Sequence, residues 1–294
     1  MTTLLAARIE NWYRSDAIEM PEKVYLVGAG PGDPELLTRK AWRVLQSSDV
    51  VLHDDLVAEE ILRSLPATTQ VVSVGKRCGA KGISQAEISA LMVNLSRAGK
   101  VVARLKSGDP MLFGRGGEEM EALRRAGIEF EVIPGVTSAL GAAATSQISH
   151  TDRRHAARDV FVTAHRQGGT GLTSERDVAA DTTYVIFMPG HRYADLSLEL
   201  QAAGIGADIP CAVISQATTT RETIFRSTVG RLAQCPRTES PSLLVVGTVV
   251  GAVANDADKK EGVEGEVLDN VSAELMDLVL QHPFRDSSGG SGVE

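Results

Sequence analysis

A mixed α/β fold of two lobes is what this sequence predicts. Three observations carry that reading. From Val24 onward, short apolar runs with the character of buried strands alternate with segments of helical periodicity. Glycine turns follow the strands, as at 28-GAGPGD-33 and 107-SGDP-110. A stretch of small residues, 137-TSALGAAATSQ-147, then opens a second series of strand-like runs.

The first series begins with the strand 24-VYLVGAG-30, after which Asp33 is a helix cap and Pro34 sits at the first helical position. A helix is expected over 34–49, a strand over 50–57, a helix near 58–65 and a short strand at 70–75. The segment 76-KRCGAKG-82 is a basic loop. Ser84 followed by Glu87 forms a capping box for a helix over 84–97. The strand 100–108 leads into a second glycine turn and a helix from about Gly117, and a strand at 129–135 closes this half. Beyond Thr137, strands are expected at 158–164, 182–188, 210–216 and 242–250, with helices near 192–203 and 228–233. The polar, glycine-rich stretch 167–177 reads as a surface loop. This gives an N-terminal extension (1–23), an N-terminal lobe (24–136), a C-terminal lobe (137–254) and a charged linker and tail (255–294), part of it expected to be disordered.

Composition narrows the function. A net charge of −8 gives a field that repels nucleic acid and anionic membrane, although a pocket inside such a protein can still be basic. No apolar run approaches the roughly 20 residues of a membrane span, and Arg8 and Glu10 break any signal-like core at the N-terminus. Cys78, Cys211 and Cys235 lie far apart, which fits a reduced, cytoplasmic setting. Neither they nor His150 and His155, five residues apart, have metal-ligand spacing, so no metal site is expected.

The first glycine loop is the sharpest local signal, and it has two readings. A dinucleotide-binding turn requires G-x-G-x-x-G; here Gly28, Gly30 and Gly32 alternate, and Asp33 stands where the third glycine belongs. Pro31 and Pro34 remove two amides that a phosphate would use, and Asp33 places negative charge at the helix start. Asp54 and Asp55 nonetheless follow the second strand, where a ribose-binding acid would sit. An NAD-dependent oxidoreductase using the Gly28–Gly32 loop therefore stays open at this point.

The stretch 25-YLVGAGPGDPELLT-38 resembles the opening of the tetrapyrrole methylase family. Further blocks of that family follow in order: 54-DDLV-57, 74-VGKR-77, 104-RLKSGDP-110, 113-FGRGGEE-119, 134-PGVTSA-139 and 151-TDRR-154. VGKR together with FGRGGEE is most similar to the branch that methylates uroporphyrinogen III. The resemblance spans about Val24 to Val250. It implies a two-lobed homodimer with a cleft between the lobes for S-adenosylmethionine, which leaves as S-adenosylhomocysteine. The implied reaction is C-methylation of uroporphyrinogen III on rings A and B to give precorrin-2, on the way to sirohaem and cobalamin. A same-fold enzyme acting on a later corrin precursor is the nearest alternative. Many sirohaem-producing relatives fuse this module to a dehydrogenase and chelatase domain, for which 294 residues leave no room, so those steps are expected elsewhere.

Carried across residue by residue, the resemblance places Pro31, Ser107, Gly108, Asp109, Leu112, Thr137, Ser138, Met188 and Ala217 around the methyl donor. It makes Asp54 a candidate base and Lys76 a candidate acid. Arg115 and Glu118 form a second constellation. Because a guanidinium is a poor base at neutral pH, Arg115 ranks first as a carboxylate binder, with Arg153 and Arg77 as further substrate contacts through the planar fork that suits carboxylates. Departures from the family pattern are His53 for a tyrosine, Asp55 for an arginine, Ser107 for a glycine, Asp152 for a histidine, Pro189 within a Met-Gly pair and Ala217 for a glycine. They alter the charge beside Asp54 but remove no chemical group from the implied site.

Overall fold

The computed structural model describes residues 22–75, 83–164 and 181–252. Lys76, Arg77 and Cys78, the loop expected at 167–177, residues 1–21 of the N-terminal extension and the tail lie outside these residues.

Five parallel strands form the first sheet. These are β1 (Val24–Gly28), β2 (Val50–His53), β3 (Gln70–Ser73), β4 (Val102–Lys106) and β5 (Phe130–Ile133), in spatial order β3-β2-β4-β1-β5. A parallel sheet buries both faces, which is why its strands read as near-continuous apolar runs. Alternate residues divide between two cores. On one face Val27, Val51, Ala103 and Leu105 pack against Ala41, Val44 and Leu45 of helix α1 (Arg39–Ser47) and Ile61 of α2 (Glu59–Arg63). On the other, Val24, Leu26, Leu52 and Val102 meet Ile88, Met92 and Leu95 of α3 (Gln85–Arg97) and Leu123 of α4 (Gly116–Arg125). The expected capping box is present at α3: Ser84 Oγ accepts from Glu87 N and Glu87 Oε2 from Ser84 N.

Helix α5 (Ser138–Ser146) leads to the second sheet, β6 (Arg158–Thr163), β7 (Thr182–Phe187), β8 (Pro210–Ser215), β9 (Thr223–Thr228) and β10 (Ser242–Val246), ordered β6-β7-β10-β8-β9. Only β6 and β7 pair in parallel; the remaining pairs are antiparallel. Helix α6 (Tyr193–Ala202) and a 3-10 segment at Val229–Gln234 cover one face, joined by the Ser197 hydroxyl donating to the Val229 carbonyl at 2.7 Å.

The strand expected over 50–57 ends at His53, the helix expected near 228–233 is a 3-10 segment, and three further elements differ from expectation. The helix expected over 34–49 is two pieces. Asp33 and Pro34 start a single 3-10 turn, Pro34–Leu36, after which Leu37 and Thr38 are extended; Thr38 Oγ1 then accepts from Ala41 N and starts α1 anew. Strand β9 was not expected, because it is a sheet edge with no fully buried residue and therefore no apolar run to betray it. The strand expected over 242–250 stops at Val246, where Gly247 adopts a φ of +154° and the next residues turn into a helix.

The carboxyl ends of β1, β4 and β5 approach more closely than side chains permit. A Cβ on Gly135 would lie 2.4 Å from the Gly108 carbonyl oxygen, and one on Gly28 would lie 2.5 Å from the Gly135 amide nitrogen. Gly30 and Gly108 bond reciprocally, N to O at 3.2 and 2.8 Å, both with left-handed backbone. Gly135→Ala is expected to destabilise the protein by about 1–3 kcal/mol through overpacking. Gly117→Ala, in a helix with nothing within 4 Å of the added carbon, is expected to leave stability unchanged or raise it by up to about 1 kcal/mol. Urea midpoints of the two variants check both.

Candidate active site

Strand β1 connects towards β2 and strand β4 towards β5, so the two chains leave the sheet in opposite directions from neighbouring positions. This is the switch point at which open α/β sheets bind ligands, outside the carboxyl ends of the strands. Here the two loops are zipped together at Gly30 and Gly108, and the first loop then meets the second lobe. Asp33 N donates to Thr218 Oγ1 at 3.1 Å, while Pro31 packs where a Cβ on Gly141 would be, 2.7 Å from its Cγ.

Beside this junction lies a cavity of about 190 Å³. From the first lobe Pro31, Ser107, Gly108, Asp109 and Leu112 line it, together with Asp54 at the end of β2. Thr137 and Ser138 at the start of α5 contribute next, and Met188 and Ala217 come from the second lobe. All nine residues expected around a methyl donor are thus gathered into one space, with the candidate base Asp54 on its wall. Phe113, Phe187, Ile214, Ser242 and Leu243 line it too and were not singled out from sequence. Phe113 and Phe187 meet across the two lobes with ring centroids 4.9 Å apart, and Phe161 stands edge-on behind Phe187 at 6.0 Å. Single phenylalanines in otherwise ordinary runs gave no sign of this ladder.

Backbone conformation marks the same place. Phe113 and Met188 have φ near +50°, and Arg115, Gln216 and Thr218, each within two residues of a lining residue, also have positive φ. Left-handed non-glycine residues carry strain that clusters at functional sites. Met188 is 49% exposed, so it is a cavity-edge residue and not a core methionine.

Among the described residues the lining is apolar apart from a few hydroxyls and two carboxylates, and carries no cation. Asp109 spends its carboxylate on the loops, accepting from Met111 N at 2.8 Å and Gly135 N at 3.0 Å. The amides of Ala29, Gly30, Asp33 and Glu35 all donate within the protein, and Pro31 and Pro34 have none. With those amides occupied and only a 3-10 turn following, the loop lacks the row of amides and the α-helical dipole that would seat a pyrophosphate. The dinucleotide alternative loses its physical basis.

Other predicted residues lie apart from the cavity. Arg115 and Glu118 form an exposed bidentate pair, Nε to Oε1 and Nη2 to Oε2 at 2.7 Å each. That pairing raises the Arg115 pKa above its ordinary value and lowers that of Glu118, which takes Arg115 still further from service as a base. Gly116 serves packing against the Pro110 carbonyl. Arg153 is exposed with no partner among the described residues, whereas Arg154 is committed to Asp152, whose pKa its hydrogen bonds lower to about 2. Lys76 and Arg77 fall outside the described residues.

Sequence reasoning quoted the block 104-RLKSGDP-110 without giving Arg104 or Lys106 a role. Both are buried behind Asp54. Arg104 donates to Asp54 Oδ1 through Nη2 and to Glu119 Oε1 through Nε at 3.0 Å, and Lys106 Nζ lies 3.0 Å from the same Glu119 oxygen. The usable signal was two cations two residues apart in a strand otherwise reading as fully buried.

Fold, cleft and motif set define a two-lobed α/β protein of the class that holds a nucleoside-bearing ligand between its lobes. The family model for tetrapyrrole (corrin/porphyrin) methylases matches residues 23–233, and the chain belongs to that family. It is 43% identical to a uroporphyrinogen-III C-methyltransferase of Paracoccus denitrificans, over 80% of this chain and 83% of the relative. It is 44% identical to siroheme synthase 2 of Aeromonas hydrophila, over 78% of this chain but 49% of that protein. The chain thus spans about half the length of the siroheme synthases it matches. A uroporphyrin-III C-methyltransferase structure from Thermus thermophilus, complexed with S-adenosylhomocysteine, superposes with a TM-score of 0.68 at 39% identity, over 78% of this chain and 94% of that one.

An exposed ion pair contributes little to stability. Arg115→Ala and Glu118→Ala are each expected to change unfolding free energy by less than about 1 kcal/mol, measured by urea titration. A larger change would give the pair a structural role.

Proposed function

We propose that this chain transfers methyl groups from S-adenosylmethionine to carbons of uroporphyrinogen III, on rings A and B, yielding precorrin-2. The observation that carries the reading is the cavity itself: apolar walls, a pair of zipped glycine loops and a half-buried carboxylate, Asp54, with no cation among the described lining residues. A sulfonium nucleoside is cationic at the reacting sulfur and carries no phosphate, which is what such a space accommodates. Membership of the family and the substrate named for the Paracoccus relative support the tetrapyrrole.

A pyrrole carbon is nucleophilic because the ring nitrogen feeds it electron density, and the sulfonium methyl is already activated. In the transfer the carbon–methyl bond forms as the methyl–sulfur bond breaks, sulfur keeps the electron pair, and a proton leaves the macrocycle. The protein's contribution is in-line placement, exclusion of water and a group to take that proton. Pro31, Ser107, Gly108, Asp109, Leu112, Thr137, Ser138, Met188 and Ala217 are read as the donor's surroundings, and Asp54 as the proton acceptor. Lys76 is read as the matching acid. Arg153 and Arg77, with Arg115 held by Glu118, are read as carboxylate contacts for the macrocycle. The family resemblance further supports a cytoplasmic homodimer.

Incubation with uroporphyrinogen III and S-adenosylmethionine is expected to give a product carrying two added methyl groups by mass spectrometry. Methylation only of a later corrinoid would replace the substrate reading, and tight binding of labelled NAD instead of the donor would replace the class. Asp54→Asn is expected to retain donor binding by calorimetry while losing methylation by about 100-fold or more. Near-normal turnover would remove Asp54 from the role of base.

A further inference from the structure

Strand β4 carries an anomaly that the donor cavity does not by itself explain. It is the central strand of a parallel sheet, and all five of its residues are buried. Val102, Arg104 and Lys106 share one face by strand alternation. That row starts in the apolar cluster with Leu123 and Met92 at Val102, then becomes cationic towards the strand's carboxyl end, where the cavity lies. Glu119 of α4, fully buried, answers both cations: one oxygen accepts from Arg104 Nε, Lys106 Nζ and Gln85 Nε2, each at 3.0 Å. Arg104 Nη1 donates to the carbonyls of Leu52 and Leu105 at 3.3 and 3.2 Å, so its guanidinium is fixed on three sides. Its remaining arm holds Asp54, and Lys106 Nζ stands 4.0 Å from the other Asp54 oxygen.

Such a cluster is a poor device for stability alone, since apolar side chains of similar volume are often as good or better. Its members are nearly inaccessible except at one point. The Asp54 side chain, 32% exposed, faces the cavity. Resting on the assignment of Asp54 as proton acceptor, we propose that Arg104, Lys106 and Glu119 are positioning residues for methyl transfer, a buried charge frame that aims the Asp54 carboxylate and sets the pH range over which it accepts a proton. Two cations and two carboxylates balance; removing any one member leaves Asp54 facing an uncompensated charge. Burial and the neighbouring Arg104 also draw the Lys106 pKa below its ordinary value, so the frame holds its second cation less firmly than a surface lysine would be held.

Among the described residues, the other charged or titratable groups around Asp54 are His53 at the end of β2, Asp55 beside it and Asp109 after β4; His53 Nδ1 lies 3.0 Å from the Asp54 carbonyl oxygen. The described second-lobe residues of the cavity carry no charge. The sign of each substitution follows. Glu119→Gln deletes a negative charge behind Asp54, favours its ionised form, and moves the acid limb of kcat/KM to lower pH by about one unit. Lys106→Gln deletes a positive charge and moves the limb to higher pH by about as much. The substrate's own carboxylates titrate alike in every variant, so the differences report the protein.

The test is the pH dependence of methyl transfer to uroporphyrinogen III for wild type, Glu119→Gln, Lys106→Gln and Arg104→Lys, with S-adenosylhomocysteine affinity measured by calorimetry on each. The expected result is opposite shifts for the first two variants and a kcat at least about tenfold lower for Arg104→Lys, with donor affinity retained throughout. Generic structural damage would move both limbs the same way or abolish donor binding. Unshifted limbs and a wild-type kcat in folded, donor-binding variants would overturn the proposal while leaving a strongly impaired Asp54→Asn, and hence the base assignment, standing. A fully active Asp54→Asn would overturn both.

Discussion

The backbone contact among the ends of β1, β4 and β5 is the constraint on which the rest depends. Gly28, Gly108 and Gly135 come within distances that no Cβ permits, and Gly30 and Gly108 close the contact with two reciprocal hydrogen bonds. Because the Gly30 and Gly108 amides are used in this way, the switch point is a backbone junction with a cavity beside it. In a dinucleotide fold the comparable glycines bring backbone close to a pyrophosphate. Here they bring backbone close to backbone, and the first loop is passed on to Thr218 and Gly141 of the other half.

That arrangement determines the chemistry of the space next to it. Phe113 and Phe187 join across the lobes, Leu243 and Ile214 form an apolar wall, and the residues that flank the opening hold left-handed backbone. Among the described residues the lining carries Asp54 and Asp109 and no cation, which suits a positively charged sulfur and opposes phosphate. Charged contacts suited to a polycarboxylate lie further out, at Arg115 and Arg153, where solvent reaches them. The division matches a reaction in which a cationic donor and a polyanionic acceptor must meet without sharing their binding groups.

The buried Arg104, Lys106 and Glu119 show how the floor of that space is held. Desolvating two cations under a sheet costs several kcal/mol each before pairing offsets it. Glu119 offsets part of the cost with one oxygen, while its other oxygen has no hydrogen-bond partner among the described residues. A fold selected for stability alone would have little use for this; a fold that must hold a carboxylate at the edge of an apolar cavity has a reason to keep it.

Local rules fixed much of this protein in advance. Alternating apolar runs, the Ser84–Glu87 capping box and the prolines beside Gly30 and Gly32 were sufficient for the α/β class and for doubt about a nucleotide loop, because helix caps and strand periodicity are properties of neighbouring residues. The motif blocks and the family resemblance identified part of the cavity lining, Pro31, Ser107, Gly108 and Asp109 among it. What they left open was decided by packing between distant segments. β9 forms because β8 offers an unpaired edge, not because its own residues form an apolar run. Glu118 and Glu119 look interchangeable in sequence, yet one is exposed on Arg115 and the other buried between Arg104 and Lys106, since a helix turns adjacent residues about 100° apart. Only the folded sheet brings residues 54, 104, 106 and 119 to one point, and only there do four ordinary charges acquire a shared electrostatic fate.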